Sequence, residues 1–173
     1  MLKKLTAWPL AIGCALIFAS APGLAAAPAA SPVTGAAGSA QLRVSAPWIR
    51  ATVPQAKATG AFMELQAVRD ARLVGVESPV AGLAEVHSMA MDKHVMRMQA
   101  VDSLALPAGK PVALASGGYH VMLMQLKRQL KEGDTVPLTL IVEYDGPAKP
   151  GKAQRERIEL SVPVKALTYA PPR

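Results

Sequence analysis

Cysteine is almost missing: the 173-residue chain has one, Cys14. It falls in an N-terminal segment that reads as an export signal, so the rest of the chain has no thiol, no disulfide and no redox pair. A blue-copper electron-transfer centre needs a cysteine ligand and is thereby excluded. A structural zinc site would bring thiolates or more histidines than the three present. Aromatic residues make up only 4% of the chain. The basic residues are scattered (Arg43, Arg50, Lys57, Arg69, Arg72, Lys93, Arg97, Lys127, Arg128, Lys131), with no run of them interleaved with aromatics, which argues against a nucleic-acid surface. The apolar run from Leu5 to Phe18 is too short, and too soon followed by small residues, for a stable membrane anchor. No nucleophile elbow, HExxH or paired carboxylates is visible, so an enzyme is not expected.

Lys3 and Lys4, the apolar run and ASAPGLAAAPAA have the order of a secretory signal peptide, with cleavage expected after Ala26. Gly13-Cys14 has the look of a lipid-attachment point, but ALIF continues the apolar core beyond it, so Cys14 is expected to leave with the signal. About 147 of the 173 residues then remain, carrying +5 of the original +7 charge, enough for one domain with a real core. Residues 27–40 (APAASPVTGAAGSA) are small and uncharged and read as a flexible linker. The ordered domain is expected over 41–165, followed by a loose tail, 166–173.

Short apolar/polar alternations separated by Gly, Pro and Asp punctuate that domain, with no convincing amphipathic helix. Strands are expected near 41–47, 61–68, 72–77, 83–91, 95–101, 111–115, 119–126, 135–144 and 157–164. Asp92-Lys93 is the expected turn of a hairpin, and 104–110 a loop. The pattern is all-β, an antiparallel sandwich or barrel. Trp48, beside Pro47, is expected in the core, as are Met63 and Met124.

All three histidines and six of the eight methionines fall between His87 and Met124. Residues two apart on a strand share a face. His87 and Met89 therefore project together, as do Met96 and Met98, and His120 and Met122. The hairpin sets His87 opposite Met98 or its neighbours. Imidazole and thioether without thiolate suit copper, and thioether sulfur favours the cuprous state. His94, in the expected turn, reads as a bystander. Glu85 shares the face of His87 and could serve as a base in a secreted copper or zinc enzyme, a rival reading. A metal-free assembly module with a methionine-filled core is another.

His87, ten residues, Met98, twenty-one residues, His120, one residue, Met122: this spacing matches the H(M)X10MX21HXM signature, and the chain resembles the periplasmic CuA copper chaperone family (PCuAC, DUF461) over most of 41–164. VHSMAMDKHVMRM and GGYHVMLMQLKRQLKEGDTVPLTL resemble it around the motif. The resemblance implies a cupredoxin-like β-sandwich and a periplasmic location. It implies one Cu(I) per chain, held in an exposed site by His87, Met98, His120 and Met122, with Met89 at an optional position. It implies delivery to subunit II of cytochrome c oxidase, the CuA subunit, alongside Sco-type thiol copper proteins. A monomer is expected. Some relatives bind a second, cupric ion on a His- and Met-rich tail; ALTYAPPR offers no such tail.

Overall fold

The alternation resolves into eleven strands: β1 (Ala37–Gly38), β2 (Leu42–Arg50), β3 (Ala58–Ala67), β4 (Ala71–Glu77), β5 (Leu83–Asp92), β6 (Val95–Ala100), β7 (Leu104–Leu106), β8 (Pro111–Leu114), β9 (Tyr119–Met124), β10 (Thr135–Tyr144) and β11 (Gln154–Lys165). The computed structural model describes residues 37–92, 95–145 and 154–171, and among these there is no helix. They all belong to the unit Thr34–Arg173. The signal segment, most of the linker, and the expected bystander His94 lie outside the described residues.

The strands run β6-β5-β9-β3-β2-β11-β10-β4-β7 along one curled sheet, with β1 on β2 and β8 on β3. All pairings are antiparallel except β11 with β2, where Val164 lies beside Ile49 and Lys165 beside Arg50. This is a cupredoxin-like β fold. Two strands go beyond expectation. Ala37–Gly38, read as linker, pairs with Val44 and Arg43. Leu104–Leu106, read as loop, pairs with Leu73, Arg72 and Ala71 because Leu104 and Leu106 are needed inside the core.

The core follows the two-residue period. Val136, Leu138, Leu140, Val142 and Tyr144 of β10 are buried, as are Ile158, Leu160, Val162 and Val164 of β11. Ala61, Met63, Leu65 and Ala67 supply the same row from β3, and Val121 and Leu123 from β9. Met63 is therefore core, as its apolar setting suggests, whereas Met124 is only half-buried: it falls on the other side of β9 from Leu123. Away from the core, β4, β10 and β11 are laced by surface ion pairs, Arg157–Glu77, Arg155–Glu143 and Arg72–Asp145, exposed enough to contribute little each.

One irregularity matters for the site. Ser45 pairs with Glu64 and Trp48 with Phe62, so Ala46 and Pro47 together oppose a single residue, Met63. This is a β-bulge, and Ala46 takes a positive φ of 46° within it. The extra residue reverses the facing of β2. Leu42 and Val44 point into the core before it; Ile49 points in after it, and Trp48 faces out.

The Tyr144 phenol is fully enclosed, with the Arg69 guanidinium 4.8 Å from the ring centre, and burial pushes its pKa up. The neutral phenol is thus favoured in the folded state. Its contribution is fully present below the ordinary tyrosine pKa of about 10 and is lost as pH rises through the higher folded value. Thermal unfolding followed by circular dichroism is expected to show a Tm that falls above about pH 10 in the wild type and falls less in Tyr144→Phe.

Candidate metal-binding face

Three strands at one end of the sheet, β6, β5 and β9, carry every described histidine. Their inner row, Val86 and Val121, is core. Their outer row is where the polar and soft side chains go. His87 lies directly opposite His120 on β9 and opposite Ala100 on β6. The two imidazole rings sit side by side, with centroids 6.1 Å apart.

The same outer row continues onto β3 and β2. Ala61 pairs with Val121, which places Phe62 next to His120, with ring centroids 6.4 Å apart. Trp48 stacks on Phe62 at 4.4 Å. Tyr169 closes the far end against Trp48 at 4.9 Å. So part of the tail read as loose is packed, and Trp48 is buried, as expected, but on the outer side of the sheet. The Arg50 guanidinium lies 5.7 Å from the Trp48 ring centre and 5.5 Å from that of Phe62. The bulge in β2 is what delivers Trp48 to this row.

Gly60 makes room for the platform. A Cβ there would come within 2.7 Å of the Phe62 ring, closer than any real contact. Gly60→Ala is expected to push the ring off its stack and to cost about 1–3 kcal/mol. Chemical denaturation monitored by Trp48 fluorescence would register both the lost stability and the altered native emission.

Hydrogen bonds orient the two imidazoles differently. The turn Ala115–Gly118 closes with Gly118 N–H donating to the Ala115 carbonyl at 3.2 Å, and Gly117 adopts φ 89°, a conformation natural to glycine. That turn presents the Gly118 carbonyl, which accepts from Met89 N–H at 3.2 Å and from His120 Nδ1–H at 3.2 Å. The proton of the ring's neutral form is thereby held on Nδ1, which leaves Nε2 as the atom that can donate a lone pair. His87 instead donates Nε2–H to the Glu85 carboxylate at 3.1 Å. Its Nδ1 is buried and has no hydrogen-bond partner.

The methionines flank this pair. Met122, two residues from His120, lies opposite Glu85. Met98 lies opposite Met89 and not opposite His87. The hairpin pairs Asp92 with Val95, so its centre lies one residue beyond the expected Asp92-Lys93 turn, and Lys93 itself lies outside the described residues. His87 is the hub: both Met98 and Met122 are diagonal neighbours, at about 8 Å between backbones for ordinary strand spacings. Those two methionines occupy opposite diagonals and are roughly 17 Å apart on the same spacings. Exposure differs as well. His120 is 4% exposed and Met98 49%, so the imidazoles are shielded and the edge thioether is open. Among the described residues no three His, Cys, Asp or Glu side chains cluster as a metal site.

Sequence reasoning singled out His87, His120 and the flanking methionines, which the strand pairing places on one face. It missed Phe62 and the Gly118 carbonyl. The alternation of β3 held a signal for Phe62; nothing local marks which carbonyl a histidine will bond.

Fold and face together define a class, a cupredoxin-like β domain with imidazole and thioether donors on its outer sheet face. The chain belongs to the family described as "Putative lipoprotein LpqE-like", matched over residues 42–164, the same family as the PCuAC domains. It is 30% identical over 130 residues to "Putative lipoprotein Lxx21020" of Leifsonia xyli subsp. xyli (strain CTCB07), covering 75% of this chain and 72% of the relative. Its fold is similar to the apo PCuAC domain from PmoF1, with TM-score 0.56 and 23% identity, covering 73% of this chain and 94% of the other. The copper-bound PCuAC domain from PmoF2 aligns with TM-score 0.56 and 23% identity, over 73% and 93% of the two chains. Apo-DR1885 from Deinococcus radiodurans aligns with TM-score 0.51 and 28% identity, over 87% and 95%.

Proposed function

We propose that this protein is an exported copper chaperone. It binds one cuprous ion through His87, Met98, His120 and Met122 and passes it to a cuproprotein. The observation that carries this reading is the facing pair His87–His120, flanked on the same outer face by thioethers. One histidine has its tautomer fixed and the other has an orphaned ring nitrogen. Neutral imidazole and thioether donors suit a soft monovalent ion, and all four ligands are uncharged, so the complex keeps the ion's +1 charge. The copper-bound PmoF2 domain shares this fold.

Binding by all four ligands has a structural cost. With Met98 level with Met89 and Met122 level with Glu85, about 14 Å of their separation runs along the strands, so the set closes on one ion only if β6 also slides along β5 as it curls toward β9. β6 is an end strand of the sheet, exposed throughout, and among the described residues it pairs with β5 alone, so this movement breaks no second ladder among them. Met98, on that strand, is the ligand an acceptor meets first. Acceptor thiolates bind cuprous ion more strongly than thioether and can draw it off through shared-ligand intermediates.

The acceptor is the dinuclear copper centre in subunit II of cytochrome c oxidase, with a Sco-type thiol protein as co-worker. Export uses the signal ending at Ala26. The relatives' lipoprotein names make lipid attachment at Cys14 the competing form of the mature chain, and the intact mass of the periplasmic protein separates the two. The functional test is transfer. Protein loaded anaerobically with Cu(I) is mixed with the apo soluble domain of the oxidase subunit or with an apo Sco-type protein, and copper is followed by separation and metal analysis. Transfer of one equivalent is expected, with sulfur and nitrogen neighbours in the X-ray absorption of the donor. Failure to bind copper, or retention of it against both acceptors, rejects the reading.

A further inference from the structure

We propose that Glu85 is a positioning residue that selects the donor atom of His87, so that the two histidines bind copper through different nitrogens. This inference rests on the copper-binding reading and deepens it.

Glu85 and His87 are two apart on β5 and so project from the same face. The Glu85 carboxylate accepts Nε2–H of His87 at 3.1 Å. The imidazole side chain is 13% exposed and the carboxylate 37%, so the bond is partly shielded from water on the histidine side. A ring that donates Nε2–H is the tautomer whose only lone pair is on Nδ1. That Nδ1 is the atom left buried and without a hydrogen-bond partner. A buried acceptor with nothing to accept is costly, and it marks a lone pair held ready for something the apo protein lacks.

His120 is arranged the other way round. Its Nδ1–H is spent on the Gly118 carbonyl, which leaves Nε2 as the donor atom. The two rings face each other across β5 and β9. Two adjacent histidines bound through the same nitrogen would present it at the same height above the sheet. One bound through Nδ1 and one through Nε2 present donors at different heights, because Nδ1 sits nearer the backbone. Glu85 is thus the device that makes the pair unequal. A carboxylate on the outer nitrogen of a ligating histidine also raises the basicity of that ligand and holds the ring in place, and its loss costs 10–100-fold in metal affinity in other metal sites.

The test uses mature protein with ¹⁵N-labelled histidine, apo and after anaerobic loading with Cu(I), read by long-range ¹H–¹⁵N correlation. In the apo protein His87 is expected as the Nε2–H tautomer and His120 as the Nδ1–H tautomer. On loading, the coordination shift is expected at Nδ1 of His87 and Nε2 of His120. Glu85→Ala is expected to mix the His87 tautomers and to weaken cuprous affinity about 10–100-fold in chelator competition. Glu85→Gln, whose amide oxygen still accepts Nε2–H, is expected to restore the tautomer and most of the affinity. Circular dichroism checks that both variants are folded. Copper found on Nε2 of His87, or Glu85→Ala with wild-type tautomer and affinity, overturns the inference while leaving copper binding intact. A wild-type protein that takes up no copper overturns the copper reading and this inference with it.

Discussion

His120→Ala is expected to lower cuprous affinity more than about 100-fold, beyond the loss typical of an outer-shell partner, while the protein stays folded. His120 is the most enclosed of the proposed ligands, at 4% exposure, and sits between the His87 ring and the Phe62 ring. Its removal takes away the donor whose tautomer is fixed by Gly118 and leaves Met122 without its same-face partner. No core residue is lost, because His120 faces outward while Val121 and Leu123 fill the interior. Met98→Ala is expected to weaken binding less, since Met98, among the proposed ligands, is half-exposed on an end strand. Competition with a cuprous chelator measures both variants. Thermal unfolding gives a second reading: copper at 100 times its dissociation constant stabilises a binding-competent fold by about 2.7 kcal/mol. That gain is expected in the wild type; at the same copper concentration it is expected to shrink to about 0.4 kcal/mol or less in His120→Ala. Equal affinity in the variant and the wild type would dissolve the proposed site.

The complementary substitution is Leu123→Ala. Leu123 is fully buried, one residue from Met122 and pointing to the opposite side of β9. Truncation of a buried leucine leaves a cavity and costs about 2–5 kcal/mol. Denaturant unfolding is expected to show a lower midpoint with an unchanged slope. At temperatures where the variant is folded, its copper affinity is expected to stay near wild type, since the outer row is untouched. A variant that keeps its stability would mean the inner row of β9 is not the core it is described to be. A variant that loses affinity while still folded would mean the two faces of β9 are mechanically coupled.

Most of the fold was legible because an all-β chain writes its burial in a two-residue period. The strand from Thr135 to Tyr144 shows it without interruption, and its expected limits match the observed strand. The β7 strand was not legible: three residues beside Pro107 carry too little pattern to outweigh a loop, and only long-range pairing with β4 makes them a strand. The same period put His87 with Met89 and His120 with Met122 on shared faces. It could not fix the hairpin register, because moving the centre of a hairpin by one residue changes which residues oppose each other without changing which face they occupy. So His87 was expected across from Met98 or its neighbours; it faces Ala100, two residues along, and Met98 faces Met89. The facing of Trp48 was illegible for a different reason. It depends on the bulge at Ala46 and Pro47, and a bulge is a count of residues against the opposite strand, unknown until that strand is in place.

That bulge has an evolutionary and practical corollary. Ala46 and Pro47 together work as a phase shifter within a nine-residue strand. Shortening this stretch by one residue would swap the destinations of everything downstream in β2, turning Trp48 toward the aliphatic interior and Ile49 toward the histidine side. Length, more than identity, is therefore what this short segment has to preserve, and a one-residue deletion here would be more disruptive than most single-residue replacements around it.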